Sequence, residues 1–280
     1  MNIKEDDRSI QRMRAEITDR LTRRNRKYRF WLTAMRYSGV FLRSRDRGKM
    51  FEADYLWMRE IDDIADGDLI VPEGYASPVE YVDKKLNFLL RQNEPTDDVE
   101  RLMGLCSHLS EKTGLNLFQA RREILESMLF DAKRLGTSKI YPEDELQKYF
   151  YKCDIAGTAA GTLALYGENP NMWPAVYDTG CAVRIYYNLR DFRHDIEAGL
   201  VNVSEEDCNR FGISLDDLHD ANSPPIRAWF QTQAKIGLSL LETGARSLRN
   251  AGFGPIGVGF VHLYHEKPTK KFLQSIVTDA

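Results

Sequence analysis

The sequence predicts an all-α protein, because apolar side chains recur at helical spacing along most of the chain. It contains no alternation of apolar and polar residues long enough for a useful β-strand. The apolar share of 42% and the charged share of 29% are typical of a globular protein. We therefore expect one domain over residues 1–280, built as a helical bundle with its site between facing helices.

The N-terminal part predicts a helix over residues 1–27, which we expect to dock on the body of the protein. Its apolar residues form one narrow stripe at helical spacing: Ile10, Met13, Ile17 and Leu21. A second stripe, from Met50 to Ile61, predicts a helix that leads into an acidic segment. Gly67 follows as a suitable C-terminal stop.

Capping signals predict the next helix starts. Ser77, Pro78 and Glu80 form a capping box with proline at the first helical position. Thr96 is expected to cap the following helix. Further helices are predicted over residues 117–135 and from residue 142 into a small-residue run, IAGTAAG at 155–161, where glycine and alanine allow close approach of a backbone or ligand.

The C-terminal part continues the helical pattern. A helix from about residue 175 is expected to carry a second acidic segment, and the residues from 199 to 212 read as a connector. Ser214 with Asp217 opens a short helix, and Pro224 with Pro225 opens a long one. The segment GFGPIGVGF at 252–260 is a weak match to a glycine-rich phosphate loop, since no strand precedes it.

Charge and hydropathy argue against nucleic-acid binding and against a membrane-spanning segment. The net charge of −3 and the pI near 6.0 argue against nucleic acid, which requires a basic surplus. No apolar run approaches the ~18 residues of a membrane span, and the start of the sequence lacks a signal-peptide core. We expect a cytoplasmic protein. The basic patch around Arg23 is expected to be solvated, with peripheral membrane contact as the alternative.

The four cysteines, Cys106, Cys153, Cys181 and Cys208, are far apart and form no CxxC pair. We expect them to be free thiols in a reducing compartment, without a disulfide framework or a zinc site.

Two acidic segments share one spacing. Asp62 and Asp66 lie four residues apart in EIDDIAD, and Asp191 and Asp195 lie four apart in YYNLRDFRHDIEAG, which we predict to be one helix. Residues four apart share a helix face, so each pair can aim two carboxylates at one point. One such pair alone is usually a solvated face. Two pairs in apolar and aromatic surroundings favour a site for a hard cation such as Mg²⁺, together with diphosphate.

Three separated segments resemble motifs of the squalene and phytoene synthase family. YLWMREIDDIAD at 55–66 resembles the first motif, an aromatic residue, an arginine and DDxxD. YFYKCDIAGTAAG at 149–161 resembles a tyrosine-led VAGTVG segment. NLRDFRHDIEAGLVNVSEEDCNRFG at 188–212 resembles the second motif, NILRDVxED, with its connector and closing FG. Order and spacing agree over roughly residues 40–215.

This resemblance implies an isoprenoid-synthase bundle with a central active-site cavity and a Mg²⁺-dependent reaction on allylic prenyl diphosphates. It implies that the metal ligands, which are also catalytic, are Asp62, Asp66, Asp191 and Asp195. Arg59 would hold the diphosphate, and Tyr151 would line the cavity near the reacting carbon. Tyr55 and Arg190, from the same motifs, are expected to bind substrate.

The departures from the family pattern lie beside the second motif. Tyr187 stands where the family has asparagine, and Asn188 follows one position later, a rotation of about 100° that should turn it away from the ligand position. Arg184 stands where the family has glutamine. We expect Arg184, Tyr187 and Asn188 to determine the acceptor, although a surface position for Arg184 is the alternative.

We therefore expect a prenyltransferase that ionises an allylic prenyl diphosphate. Its acceptor is expected to be a small aromatic metabolite, because a planar ring can stack on arginine or tyrosine. One alternative is a conventional head-to-head synthase that uses a second prenyl diphosphate. Another is a member without catalysis that acts as a binding or assembly partner. No oligomeric state is predicted.

Overall fold

The computed structural model describes residues 3–24, 29, 33, 37, 44–91, 93–153 and 174–278. The chain divides into two compact units, Met1–Ala132 and Lys133–Ala280. Every regular element among the described residues is helical, which confirms the predicted all-α class. None of these helices is both long and apolar enough to cross a membrane. One domain over residues 1–280 stays a prediction.

The helices of the first unit are α1 (Ile3–Arg24), α2 (Arg45–Ala65), α3 (Pro78–Arg91), α4 (Asp98–Thr113) and α5 (Phe118–Arg134), whose last two residues belong to the second unit. Helix α1 packs against α2 and α4. Its predicted stripe is buried, with exposed fractions between 0% and 4% for Ile10, Met13, Ile17 and Leu21. The described part of the predicted N-terminal helix, Ile3–Arg24, is thus helical and buries its apolar stripe. Arg23 in the basic patch pairs with Asp19 at 2.6 Å, while Arg26 and Lys27 lie outside the described residues.

The capping predictions had mixed outcomes. The Ser77 cap is confirmed, since Glu80 N–H donates to Ser77 Oγ at 3.2 Å. The reciprocal half of the box differs from the prediction, because the Glu80 carboxylate accepts from Ala76 N–H at 2.8 Å. The Thr96 cap is wrong. Asp97 is the N-cap of α4, and its carboxylate accepts the Glu100 N–H at 2.9 Å. A carboxylate also interacts favourably with the positive end of the helix dipole, so Asp97 is the better cap, and Thr96 donates to the Glu100 side chain instead.

A buried ion pair joins α2 to α5 in the first unit. Arg121 donates to both oxygens of Asp54, through Nε at 2.9 Å and Nη2 at 2.8 Å, and also to Ser110 Oγ at 2.9 Å. Trp57 Nε1 donates to Asp54 at 3.0 Å. These bonds satisfy a charge pair that burial would otherwise make costly.

The helices of the second unit are α6 (Glu143–Phe150), α7 (Tyr177–Arg190), α8 (Phe192–Glu197), α9 (Glu205–Phe211), α10 (Leu215–Leu218), α11 (Pro224–Asn250), α12 (Pro255–Val261) and α13 (Lys267–Thr278), with a π-helical turn His262–Glu266 before α13. The predicted capping box of Ser214 with Asp217 is confirmed. Most of the GFGPIGVGF segment forms α12 and the residues beside it, so it is not a phosphate loop of the strand-to-helix type. The IAGTAAG run lies outside the described residues. Cys106 is buried, and the side chains of Cys153, Cys181 and Cys208 are half-buried.

Candidate active site

The first acidic face lies at the C-terminal end of α2. Tyr55, Arg59, Asp62 and Asp66 are spaced four, three and four residues apart, and all are half-buried. This spacing keeps them on one side of the helix. The helix ends at Ala65, and Gly67 follows with a φ of +82°, which confirms the predicted stop.

Arg59 is bound inside this face. Its Nη1 donates to Asp62 Oδ2 at 2.9 Å, and its Nη2 donates to Asp63 Oδ1 in a short hydrogen bond. Burial lowers the pKa of Arg59, but the charges of Asp62 and Asp63 outweigh this effect and raise the pKa above its ordinary value. The guanidinium therefore stays charged, and it lies half-buried on the same face as Asp62 and Asp66.

The second acidic motif is not one continuous helix, contrary to the prediction. Helix α7 ends at Arg190, Asp191 has φ −96° and ψ 0°, and α8 begins at Phe192. Two hydrogen bonds nevertheless continue the four-residue repeat across this bend. Asp191 N–H donates to Tyr187 O at 2.9 Å, and Asp195 N–H donates to Asp191 O at 2.9 Å. The bend therefore leaves the two carboxylates one turn apart.

Arg184, Tyr187, Asp191 and Asp195 form the second half-buried face, at spacings of three, four and four residues. Exposed Arg190 lies beside it and binds both oxygens of Asp191, with Nε 2.7 Å from Oδ1. Burial lowers the pKa of Arg190, but its hydrogen bonds to Asp191 and Tyr186 raise the pKa above its ordinary value. Each acidic face thus contains an arginine bonded to an aspartate.

Asp195 has the most perturbed carboxyl group in the second face. Burial and the nearby Asp191 carboxylate raise the pKa of Asp195 to about 7, although Arg184, Arg134 and Asn202 act in the opposite direction. Asn202 Nδ2 donates to Asp195 Oδ2 at 2.9 Å. Arg134, only 2% exposed, donates to Asn202 Oδ1 at 2.8 Å. A buried arginine is thus linked to the carboxylate through one amide.

Arg184 is half-buried, which differs from the alternative of a fully exposed surface arginine. Its guanidinium carbon lies 5.4 Å from the ring centre of Phe150, 5.8 Å from that of Tyr149 and 5.9 Å from that of Tyr187. Asn188 is buried, and its Oδ1 accepts from Arg184 Nη1 at 3.4 Å. Asn188 is therefore directed at Arg184, a member of the second face. Its predicted turn away from the ligand position stays a prediction.

Tyr151 ends α6 and is half-buried. The residues that follow it in the predicted motif, from 154 onwards, lie outside the described chain. Tyr149 and Phe150, its neighbours in sequence, are the rings against Arg184. The role of Tyr151 near a reacting carbon stays a prediction.

Sequence reasoning missed the residues behind the two faces. Asp63 is fully buried between Arg59 and Arg20 of α1, and Arg134 with Asn202 supports Asp195. Arg20 was detectable only as a charged residue beside the buried stripe of α1. Nothing local marks Arg134, which lies 68 residues from Asn202.

The donor chemistry of both faces fits a hard divalent cation. Each face offers two carboxylates one helical turn apart, and Mg²⁺ characteristically completes its coordination with waters and phosphate oxygens. Among the described residues, no group of three or more His, Cys, Asp or Glu side chains forms a complete metal cage. Each pair, Asp62 with Asp66 and Asp191 with Asp195, therefore suits a metal ion that also binds a phosphate-bearing substrate.

Comparison with known proteins gives one consistent result. The Squalene/phytoene synthase family model matches residues 36–266. A 15-cis-phytoene synthase from Synechocystis sp. is 26% identical over 231 residues, which cover 76% of this chain and 64% of the relative. This chain thus spans less than two thirds of that relative's length.

Two solved structures share the fold. Squalene synthase HpnC from Alicyclobacillus acidocaldarius has a TM-score of 0.70 at 16% identity, covering 100% of this chain and 96% of its own. A dehydrosqualene synthase in complex with ligand has a TM-score of 0.60 at 18% identity, covering 99% and 98%. At these identities the likeness concerns the fold alone.

Proposed function

The chain belongs to the squalene/phytoene synthase family, and from this premise we propose that it is a prenyltransferase that ionises an allylic prenyl diphosphate. The family binds prenyl diphosphates and uses a divalent metal to bind the diphosphate group. The observation that supports the proposal is the pair of half-buried faces, each with two aspartates one turn apart and an arginine bonded to one of them.

In the proposed reaction, the carbon–oxygen bond of the substrate breaks and its electron pair leaves with the diphosphate oxygen. Asp62, Asp66, Asp191 and Asp195 would hold Mg²⁺, which supplies the positive charge that neutralises the departing diphosphate. The guanidinium of Arg59 is held at the first face by its hydrogen bond to Asp62 and would donate N–H groups to the diphosphate.

The allylic cation left by this step must be kept from water until an acceptor attacks it. Aromatic faces stabilise such a cation without reacting with it. Tyr149, Phe150 and Tyr187 supply aromatic rings in the second unit, close to Arg184. We assign Tyr151 to the same lining, and Tyr55 to the substrate side of the first face.

Two acceptors are proposed, because different observations favour them. A second prenyl diphosphate is favoured by the relatives, whose names describe phytoene and squalene-type synthases. Arg184 would then contribute a cation for the second diphosphate. A small aromatic acceptor is favoured by the rings around Arg184, since a planar molecule can stack on a guanidinium or on Tyr187.

Product analysis decides between the acceptors. Purified protein is incubated with Mg²⁺ and labelled prenyl diphosphates, with and without aromatic acceptors. A hydrocarbon formed from the diphosphate alone would support the conventional synthase and exclude the aromatic version. A labelled aromatic product formed only when the acceptor is present would do the reverse.

Metal dependence tests the ionisation step itself. EDTA should abolish turnover, and Asp66→Asn or Asp195→Asn should lower it by about two orders of magnitude or more while the protein stays folded. Asp216→Asn, at an exposed aspartate of α10, is the matched control and should leave turnover unchanged. Turnover that survives EDTA would refute the metal assignment. A cellular phenotype unaffected by Asp62→Ala and Asp191→Ala would favour a partner without catalysis.

A further inference from the structure

Asp63 is the middle aspartate of the first acidic segment, and it is fully buried. Its two oxygens contact arginines from two different helices. Oδ1 accepts from Arg59 of α2, and Oδ2 lies 2.7 Å from Nη2 of Arg20 on α1. The same Nη2 atom of Arg20 donates to Glu60 Oε2 at 3.0 Å.

Burial determines what Asp63 can do. A carboxylate with no exposed surface cannot contact a ligand, and it is tolerated only when cations and hydrogen bonds compensate its lost hydration. Arg59 supplies a hydrogen bond to Oδ1 and a positive charge, whereas Arg20 supplies a charge beside Oδ2, an atom that accepts no hydrogen bond among the described residues. Asp63 is therefore directed into the protein, whereas Asp62 and Asp66 on the same helix are half-buried.

The two hydrogen-bonding nitrogens of Arg59 have different partners. Nη2 is held by buried Asp63, and Nη1 reaches half-buried Asp62 at 2.9 Å. An arginine side chain has several rotatable bonds, so binding an anion costs conformational entropy. This cost is smaller when one edge of the guanidinium is already held in place before the other edge binds the anion. The orientation of Arg59 thus depends on Asp63, and the charge of Asp63 is balanced partly by Arg20.

We propose that Arg20 and Asp63 are positioning residues for Arg59, which makes the N-terminal helix α1 part of the diphosphate-binding machinery. This inference rests on the proposed function, in which Arg59 binds diphosphate. Arg20 lies outside residues 36–266, the segment matched by the family model, so its role is not carried over from that match.

The chain contains a matched control for Arg20. Arg14 is on the same helix, and its Nη2 donates to Glu52 Oε2 of α2 at 2.8 Å. The side chains of Arg14 and Arg20 are 24% and 20% exposed, and both pair with a carboxylate of α2. Glu52, however, lies outside the acidic segment. Replacing Arg14 removes its ion pair with Glu52, whereas replacing Arg20 removes ion pairs with both Glu60 and Asp63. Of the two arginines, only Arg20 contacts Asp63, the partner of Arg59.

The test measures binding of inorganic pyrophosphate in the presence of Mg²⁺ by calorimetry, with full-length protein. Arg20→Met should raise the dissociation constant by about 10-fold, the lower end of the effect of removing an outer partner of a ligand-binding group. Arg14→Met should change it by less than about 2-fold. Urea unfolding is measured alongside, so that binding is compared only where both variants are fully folded. Arg20→Met should lose more stability than Arg14→Met, because it leaves buried Asp63 with one cation fewer. With prenyl diphosphate, Arg20→Met should raise KM more than it lowers kcat.

Asp63→Asn provides a second route if Arg20→Met does not fold. Asparagine has the same shape without the charge, and it should weaken pyrophosphate binding to a similar degree. The dissociation constant of the double variant should lie within about 2-fold of that of either single variant, because the two residues act through one contact. Independent, multiplying effects of the two substitutions would overturn the proposal.

Arg59→Met separates the two levels of the argument. If it leaves pyrophosphate binding unchanged, the proposed function of the first face is wrong. If it weakens binding while Arg20→Met and Arg14→Met behave alike, the proposed function stands and the positioning role is refuted. Weaker binding in Arg59→Met and Arg20→Met, with Arg14→Met near wild type, supports both.

Discussion

Gly199 closes the second acidic motif at a point where two backbone segments nearly touch. It has a φ of +76°, and a Cβ placed on it would lie 2.7 Å from Gly136 Cα and 2.9 Å from Gly136 N. The segments cannot move apart freely, because Gly136 N–H donates to Ala198 O at 2.9 Å and Ser138 N–H donates to Gly199 O at 3.1 Å. We therefore predict that Gly199→Ala is strongly destabilising.

Two contributions give the size of the effect. A left-handed conformation costs an alanine about 1 kcal/mol relative to glycine. The clash with Gly136 adds about 2 kcal/mol, as for overpacking in a rigid interior, because the contacting atoms are backbone. Gly212 offers the matched control, since its φ is +68° and its Cβ would have no atom within 4 Å. Gly212→Ala should therefore lose only about 1 kcal/mol.

Urea unfolding at 25 °C measures both losses by linear extrapolation. We expect Gly199→Ala to lose about 3 kcal/mol, roughly three times the loss in Gly212→Ala. The folded Gly199→Ala protein should also bind Mg²⁺–pyrophosphate more weakly, since Asn202, which bonds Asp195, lies three residues further along. Equal stability losses in the two variants would show that the backbone relaxes at Gly199 and would refute the reasoning.

Three further predictions concern side-chain networks. Asp54→Ala should cost about 3–5 kcal/mol in urea unfolding, because it leaves the buried Arg121 without its carboxylate partner. Ser110→Ala removes only one hydrogen bond to Arg121 and should cost about 1 kcal/mol. Burial raises the pKa of Glu100, but hydrogen bonds from Lys85 and Thr96 outweigh this effect and lower the pKa. The stability that Glu100 contributes is therefore present above pH 4.5 and is lost as the pH falls below that value. Glu100→Gln should therefore destabilise the protein at pH 7, and its difference in stability from wild type should shrink as the pH falls below 4.5. A difference that does not change with pH would contradict the assignment. Asn202→Ala should cost about 1–3 kcal/mol in urea unfolding, because it removes an acceptor from buried Arg134 and the donor to Asp195 Oδ2.

Local patterns predicted much of the fold. The apolar stripe of α1 was sufficient to predict a docked helix, because side chains at three- and four-residue spacing share a face regardless of what lies opposite. The same periodicity correctly placed Asp62 with Asp66, and Asp191 with Asp195, one turn apart. Capping residues were predicted less accurately than buried helix faces. At Thr96 and Asp97, two adjacent residues can both cap, and the choice depends on the side chain of Glu100.

Long-range contacts were beyond local patterns. The bend at Asp191 has no proline or glycine within it, so nothing in YYNLRDFRHDIEAG distinguishes it from a continuous helix. Arg20 contacts Glu60 across 40 residues, and Arg134 contacts Val201 across 67. Such pairs depend on how helices pack, and the sequence near either partner does not encode them.

The two acidic faces show why spacing alone does not define a site. Both have two aspartates one turn apart, and both have an arginine bonded to one of them, Arg59 to Asp62 and Arg190 to Asp191. The buried support differs. In the first face, Asp63 lies in direct contact with two arginines. In the second, the neutral amide of Asn202 separates Arg134 from Asp195, and the pKa of Asp195 is raised to about 7. Burial and the neighbouring Asp191 raise the pKa of Asp195, and the opposing charge of Arg134 does not outweigh them. Equal spacing of two aspartates therefore does not give equal electrostatics, because the burial of each carboxylate and the charges around it differ.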